Sequence, residues 1–270
     1  MSKIAVVPDV HGEKFWRDIL GKTENYGKII FLGDYFDPYD EKLSPRDCIL
    51  ETLDIMALKR AMPDKVVLLL GNHDLAYMFN MSCCRQAYGD DYELIRGLLI
   101  NNIECFDLTY WKPLEGIQQV SEVIFSHAGI MDDWVNYASK YFFRKEDLTI
   151  DAIKGGWLNL KLRNAFDWPE SQQYLFLRDL LLKITPARGG RDEFASPVWV
   201  DDSDWTPSQI LPFTLQVIGH SKRAKLAYCW DNLLFTDLIK PKITELEFDK
   251  GQITINNKII RPGESYGCVE

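Results

Sequence analysis

The chain contains four histidines, His11, His73, His127 and His220. Each stands in a small, glycine-containing turn just past a short apolar run: Pro8-Asp9-Val10-His11-Gly12, Gly71-Asn72-His73-Asp74, Ser126-His127-Ala128-Gly129 and Gly219-His220-Ser221. A fifth run ends in Gly33-Asp34-Tyr35-Phe36-Asp37. Imidazoles, carboxylates and one amide form a mixed nitrogen and oxygen donor set. Such a set suits Mn²⁺, Fe²⁺ or Zn²⁺ and argues against a soft, thiolate-bound ion. Asp9 and His11 are two residues apart, so an extended segment can present both on one face to one ion. Two ions about 3.5–4 Å apart need a shared ligand, and Asp34 is the candidate bridge.

These clusters are useful only if the fold brings them together. The runs Lys3–Val7, Lys28–Leu32, Lys65–Leu70, Val123–Phe125 and Leu215–Ile218 have strand length and β-branched composition. Helix-length segments separate the first three, the pattern of βαβ units in a parallel sheet. Ligands in open α/β sheets bind outside the carboxyl ends of the strands. The five clusters are therefore expected to converge although they span some 200 residues of sequence. A single histidine or aspartate at a strand end is ordinarily a cap or turn former. Five clusters that use every histidine point to a metal centre.

The spacing predicts a helix over 45–62, with Ser44 as cap, Pro45 in the first turn and Asp47 three residues after the cap. Its apolar stripe is expected at 48, 49, 52, 53, 56 and 57, and Pro63 stops it. A second helix is expected over Glu13–Leu20, and further helical stretches within 75–101. Residues 131–185 are aromatic-rich (Trp134, Tyr137, Tyr141, Phe142, Phe143, Trp157, Phe166, Trp168, Tyr174, Phe176) and read as a helical insertion. Helical aromatics ordinarily face inward, which favours a core over a base-stacking lid. Thr185–Asp204 reads as a long loop. The segment 233–260 alternates like strands, with a hairpin turn at Asp249-Lys250-Gly251. The expected domain organisation is one domain over 1–270.

With 270 residues, 46% hydrophobic and 26% charged, the chain has a globular composition and can bury its core without disulfides. Its six cysteines form no CxxC pair and read as reduced thiols. No apolar run approaches the roughly 20 residues of a membrane span, and residues 1–7 lack the apolar region of a signal peptide. The expectation is a cytoplasmic protein with no membrane partner. A net charge of −9, with no basic cluster beyond Ser221–Lys225, argues against a long nucleic acid as partner.

The set Asp9-x-His11, Gly33-Asp34-x-x-Asp37, Gly71-Asn72-His73-Asp74, His127-Ala-Gly129 and Gly219-His220 resembles the calcineurin-like metallophosphoesterase superfamily. His127-Ala-Gly and Gly219-His220-Ser look closest to its phosphoprotein phosphatase and diadenosine tetraphosphatase branch. The resemblance covers residues 4–130 and 215–239. It implies an α/β fold, a four-layer αββα sandwich of two mixed sheets flanked by helices, with two divalent metal ions (Mn, Fe or Zn). By motif position one ion takes Asp9, His11 and Asp34, and the other takes Asp34, Asn72, His127 and His220. His73 then faces the substrate as proton donor or charge stabiliser, and Asp37 orients it. The implied activity is phosphoester hydrolysis by in-line attack of a bridging hydroxide, on a phosphorylated small molecule, nucleotide or phosphoprotein. A phosphomonoesterase is the leading expectation. A phosphodiesterase, a dinucleotide pyrophosphohydrolase and a non-catalytic scaffold are the alternatives.

The chain departs from that branch in places. Pro38-Tyr39 stands where Arg-Gly is usual, which removes an arginine over the phosphate. Asp74 stands where glutamate is usual, a mild change in a side chain expected to brace the loop. Arg188 and Arg191 are candidates to replace the missing arginine and contact substrate, as is the amide of Asn72. Asp201, Asp202 and Asp204 read as loop-capping residues rather than a third metal site.

Overall fold

The structure, a computed structural model, describes residues 3–82, 85–117, 119–142, 156–167, 171–229, 232–249, 252–260 and 268–269. Its strands in chain order are β1 (Lys3–Val7), β2 (Tyr26–Phe31), β3 (Val66–Leu69), β4 (Phe106–Asp107), β5 (Thr109–Pro113), β6 (Glu122–Ser126) and β7 (Thr214–Ile218), followed by β8 (Leu226–Cys229), β9 (Leu233–Phe235), β10 (Thr244–Asp249), β11 (Gln252–Ile255), β12 (Lys258–Ile260) and β13 (Cys268–Val269). The described α-helices are α1 (Pro45–Ala61), α2 (Asn72–Met78), α3 (Gly89–Ile100), α4 (Asp132–Phe142), α5 (Trp157–Asp167) and α6 (Gln172–Leu181).

The strands form two mixed sheets, ordered β12-β11-β10-β1-β2-β3-β4 and β13-β8-β9-β7-β6-β5. In the first, β1, β2, β3 and β4 run parallel; in the second, β6, β7 and β9 do. Alternation along the strands builds the layers, because successive side chains point to opposite faces. Ile4, Val6, Ile30, Val67 and Leu69 join Val123, Phe125, Leu215, Val217, Tyr228 and Leu234 in one buried cluster, the seam between the sheets. Their sequence neighbours Ala5, Val7, Ile29, Phe31, Val66 and Leu68, with Ile124, Ile218 and Leu233, enter a second cluster with residues of α1, α3, α4, α5 and α6. The result is the expected sandwich, sheet on sheet with helices outside.

Ser44 caps α1 as the sequence predicts, in a full capping box with Asp47. The buried stripe is rotated from the expected one: Cys48, Glu51, Thr52, Ile55 and Met56 face inward, while Leu53 and Ala57 are exposed. A charged residue is acceptable there because Trp16 Nε1 and Arg17 Nε donate to Glu51 Oε2 at 3.2 and 3.0 Å. The helix expected over Glu13–Leu20 is instead a 3-10 helix over Phe15–Asn25. Lys14 at its N-cap offers no side-chain acceptor, so nothing local favours a regular α-helical start. Thr185–Asp204 is irregular apart from short 3-10 turns at Pro186–Arg188 and Asp202–Asp204.

Within 131–185, Trp134, Phe166 and Tyr174 are buried. Trp134 Nε1 donates to the Leu180 carbonyl at 3.0 Å, tying α4 to α6. Phe143, Trp168, the paired cysteines Cys83 and Cys84, and the hairpin residues Lys250 and Gly251 lie outside the described residues. β10 and β11 do pair on either side of that turn, Asp249 opposite Gln252. Cys48 and Cys105 are buried free thiols. No helix among the described residues is long and apolar enough to cross a membrane.

Candidate functional site

The parallel strands β1, β2, β3, β6 and β7 deliver the five clusters to one mouth. The turns after β1 and β2 are zipped together: His11 N donates to the Asp34 carbonyl at 2.6 Å and Gly12 N to that of Tyr35 at 3.1 Å. In the second sheet the turns after β6 and β7 are joined likewise, Gly219 N donating to the His127 carbonyl at 2.8 Å. Glycine is required at two close approaches. A Cβ on Gly71 would collide with the Asp34 carboxylate, and one on Gly219 with that of Asp9.

Backbone carbonyls set the imidazole tautomers, because a carbonyl can only accept. His11 Nδ1 donates to the Phe36 carbonyl at 2.8 Å, and His127 Nδ1 to that of Leu32 at 2.9 Å. In each ring this leaves Nε2 as the unprotonated nitrogen, facing the centre. His11 Nε2 and His220 Nε2 are buried with no hydrogen-bond partner. Asp34 Oδ2 lies 3.7 Å from His11 Nε2 and 3.4 Å from His127 Nε2, between the two rings. Asn72 Oδ1 and His220 Nδ1 approach His127 Nε2 at 2.9 and 3.0 Å. Asp9 takes both of its carboxylate oxygens to His220 N, at 3.0 and 3.1 Å.

Among the described residues, two groups have ligand atoms close enough to hold a metal ion: Asp9, His11 and Asp34, and Asp34, His127 and His220. They share Asp34. The donors fit a divalent ion: oriented Nε2 lone pairs, buried carboxylates and an amide oxygen, with no cysteine among them. Buried groups of this kind are costly unless paired or coordinated. Burial pushes the Asp34 carboxyl up, but His127, His73, His11 and His220 outweigh it and hold it below the usual carboxylate range. Burial, with Asp34 nearby, raises Asp9, and burial lowers His11 and His220.

His73 sits apart from these donors, at the first turn of α2. Its backbone N–H donates to Asp34 Oδ1 at 3.0 Å and its Nδ1 meets Asp37 Oδ2 at 2.8 Å. Burial opposes its charge, but Asp34 and Asp37 outweigh burial and raise its pKa to about 9. The other oxygen of Asp37 accepts from Tyr77 Oη at 2.5 Å and from Gln86 N at 2.9 Å. Asp74 braces the turns, as expected, accepting from Asp34 N, Tyr35 N and Gly71 N at 2.8–2.9 Å.

The two arginines part company. Arg188 reaches the mouth, where its Nη2 donates to Ser221 Oγ at 2.8 Å, but its Nε lies 2.7 Å from Asp201 Oδ2. Arg191 is exposed, and no described contact joins it to the cluster. Asp201 caps its own 3-10 turn, and Asp202 pairs with Arg223 at 2.6 Å.

Sequence reasoning missed Tyr77, whose role depends on an α2 side chain folding back onto the turn after β2. It also missed Asp237, buried with both oxygens unpartnered and raised to about 9 by burial and by Asp9. A signal for Asp237 was present: Leu233-Leu-Phe-Thr-Asp237 repeats the apolar run ending in a polar residue.

The family model described as calcineurin-like phosphoesterase matches residues 2–221. No curated protein matches the chain.

Proposed function

The chain belongs to the calcineurin-like phosphoesterase family and is a metallophosphoesterase hydrolase; from that premise we propose that it is a phosphomonoesterase with a dinuclear centre. The observation that supports this most is the pair of candidate ligand groups sharing Asp34, with His73 beside them and outside both. Asp9, His11 and Asp34 would hold one ion, and Asp34, Asn72, His127 and His220 the second. When bound, such ions lower the pKa of a coordinated water and polarise phosphoryl oxygens.

The remaining steps belong to the chain's own residues. Asp37, fixed by Tyr77 and Gln86, holds the Nδ1 proton of His73 and turns Nε2 away from the carboxylate. Asp34 and Asp37 keep the ring protonated through neutral pH. His73 therefore carries a proton at Nε2 for the departing oxygen, general-acid work worth roughly 10²–10⁴-fold in rate. Asp74 and the glycines hold the turns so that neither carboxylate nor imidazole must move. No covalent enzyme intermediate is required. The acidic net charge and the absence of a basic stripe support a small substrate or phosphoprotein over a long nucleic acid. Soluble, cytoplasmic action is part of the same proposal.

The test is hydrolysis by chelated and remetallated protein. p-Nitrophenyl phosphate is compared with bis-p-nitrophenyl phosphate across Mn²⁺, Fe²⁺, Zn²⁺ and Mg²⁺, with Asp34→Asn as control. Monoester turnover that needs metal and Asp34 is expected. Diester preference would overturn the monoesterase assignment, and activity indifferent to Asp34 would overturn the centre.

A further inference from the structure

Arg188, Lys222 and Arg223 stand around the mouth, on the segment after β7 and the loop facing it. Two are already neutralised. Arg188 pairs with Asp201 at 2.7 Å, and Arg223 pairs with Asp202 at 2.6 Å while its guanidinium lies 3.8 Å over the Phe235 ring. The third, Lys222, is exposed, and no hydrogen bond or ion pair holds its ammonium among the described residues. Its contact is the Tyr39 ring, with Nζ 3.7 Å from the ring centroid. Tyr39 is itself 59% exposed. Its ring meets His11 edge-on at 4.5 Å, and His11 meets His73 at 5.2 Å. The ammonium thus stands two ring contacts from His11, on the solvent side of a buried centre. Lys222 also faces Asp237, but neither oxygen of that buried carboxyl has a hydrogen-bond partner among the described residues, so it does not hold the lysine.

An exposed cation resting on an aromatic face is weakly held. It can exchange that contact for a charge-assisted hydrogen bond when an anion arrives. The scissile phosphoryl belongs at the buried donors, so what Lys222 meets is the part of the substrate that still protrudes. We propose that Lys222, parked on Tyr39, is a specificity-determining residue that binds a second anionic group carried by the substrate beyond its scissile phosphoryl. This rests on the phosphoesterase assignment of the centre above.

The experiment measures binding to the remetallated full chain by calorimetry. The probes are phenylphosphonate, 4-carboxyphenylphosphonate and benzene-1,4-bisphosphonate, none of which can be hydrolysed as an ester. The wild type is expected to bind the two doubly anionic probes about three- to tenfold more tightly than phenylphosphonate, the range of a partly screened charge pair. The larger of the two preferences tells a carboxylate from a second phosphate. Lys222→Ala should erase the preference, and Lys222→Arg should keep it. An unchanged preference in Lys222→Ala, or none in the wild type, overturns the inference. A wild type that hydrolyses no phosphoester overturns the function proposed above instead, and the phosphonate ratios still decide the role of Lys222.

Discussion

The seam between the sheets and the mouth at their strand ends are built from the same strands and obey opposite rules. In the seam, residues such as Val6, Ile30, Val67, Phe125 and Leu234 alternate on regular strands and bury nothing but hydrocarbon. A few residues further along, His11, Asp34, Asp37 and His220 have φ between 45° and 65°, a region that side chains other than glycine rarely adopt. There the buried side chains are carboxylates, an amide and imidazoles, with His11 Nε2 and His220 Nε2 unpartnered. Left-handed backbone of this kind costs on the order of 1–3 kcal/mol per residue and persists only where its surroundings dictate it. The comparison teaches that the seam supplies the rigidity and the mouth uses it. Strained turns keep their shape because they are rooted in strands that cannot shift.

The two regions should therefore fail in different ways when broken. The largest effect is expected at the mouth: Asp34→Asn should drop hydrolysis to background and lower metal content, both read on one remetallated sample. Retention of both would mean that Asp34 bridges nothing. His73→Ala comes next. It should keep metal and lose roughly 10²–10⁴-fold in kcat, most with poor leaving groups; a loss equal for all leaving groups would deny it the acid role. The seam's counterpart is Phe125→Ala, expected to cost about 3–5 kcal/mol of stability, measured by urea unfolding. The folded fraction should keep its metal affinity; a selective loss of metal would show that the two regions are not separable.

Smaller effects sharpen the contrast. Tyr77→Phe removes one hydrogen bond from Asp37 and should lower kcat roughly tenfold, the usual size for a group that orients an active-site ligand, without changing metal content. At the closed end of the first sheet, the Tyr26 hydroxyl at 2.7 Å and the Lys3 ammonium at 3.0 Å hold Glu245 below its ordinary pKa, against partial burial. A carboxylate with a lowered folded pKa adds stability above its unfolded value and loses it as pH falls through the folded one. Glu245→Gln should thus lower Tm slightly at pH 7, with a difference that vanishes below the usual glutamate range. A constant difference across pH would mean that packing, not charge, is responsible.

Much of this was legible along the chain. Local chemistry located β1, β2, β3, β6 and β7, the capped start of α1 and the five polar turns, because short β-branched apolar runs, a serine followed by proline and aspartate, and glycine-flanked histidines act within a few residues. The rotated α1 stripe was not legible, since it turns on Glu51 meeting Trp16 and Arg17 some 35 residues away.

By itself the sequence determined which donors exist, that each follows a strand, and hence that parallel strands would gather them. Only the tertiary structure decided which Nε2 atoms stay bare, that Asp34 stands between His11 and His127, that Asp201 silences Arg188, and that Lys222 stands free over Tyr39. The physical reason is range. Backbone conformation and capping are settled by near neighbours, whereas tautomer, charge state and ion pairing are settled by whatever the fold places within a few ångströms, however distant in sequence.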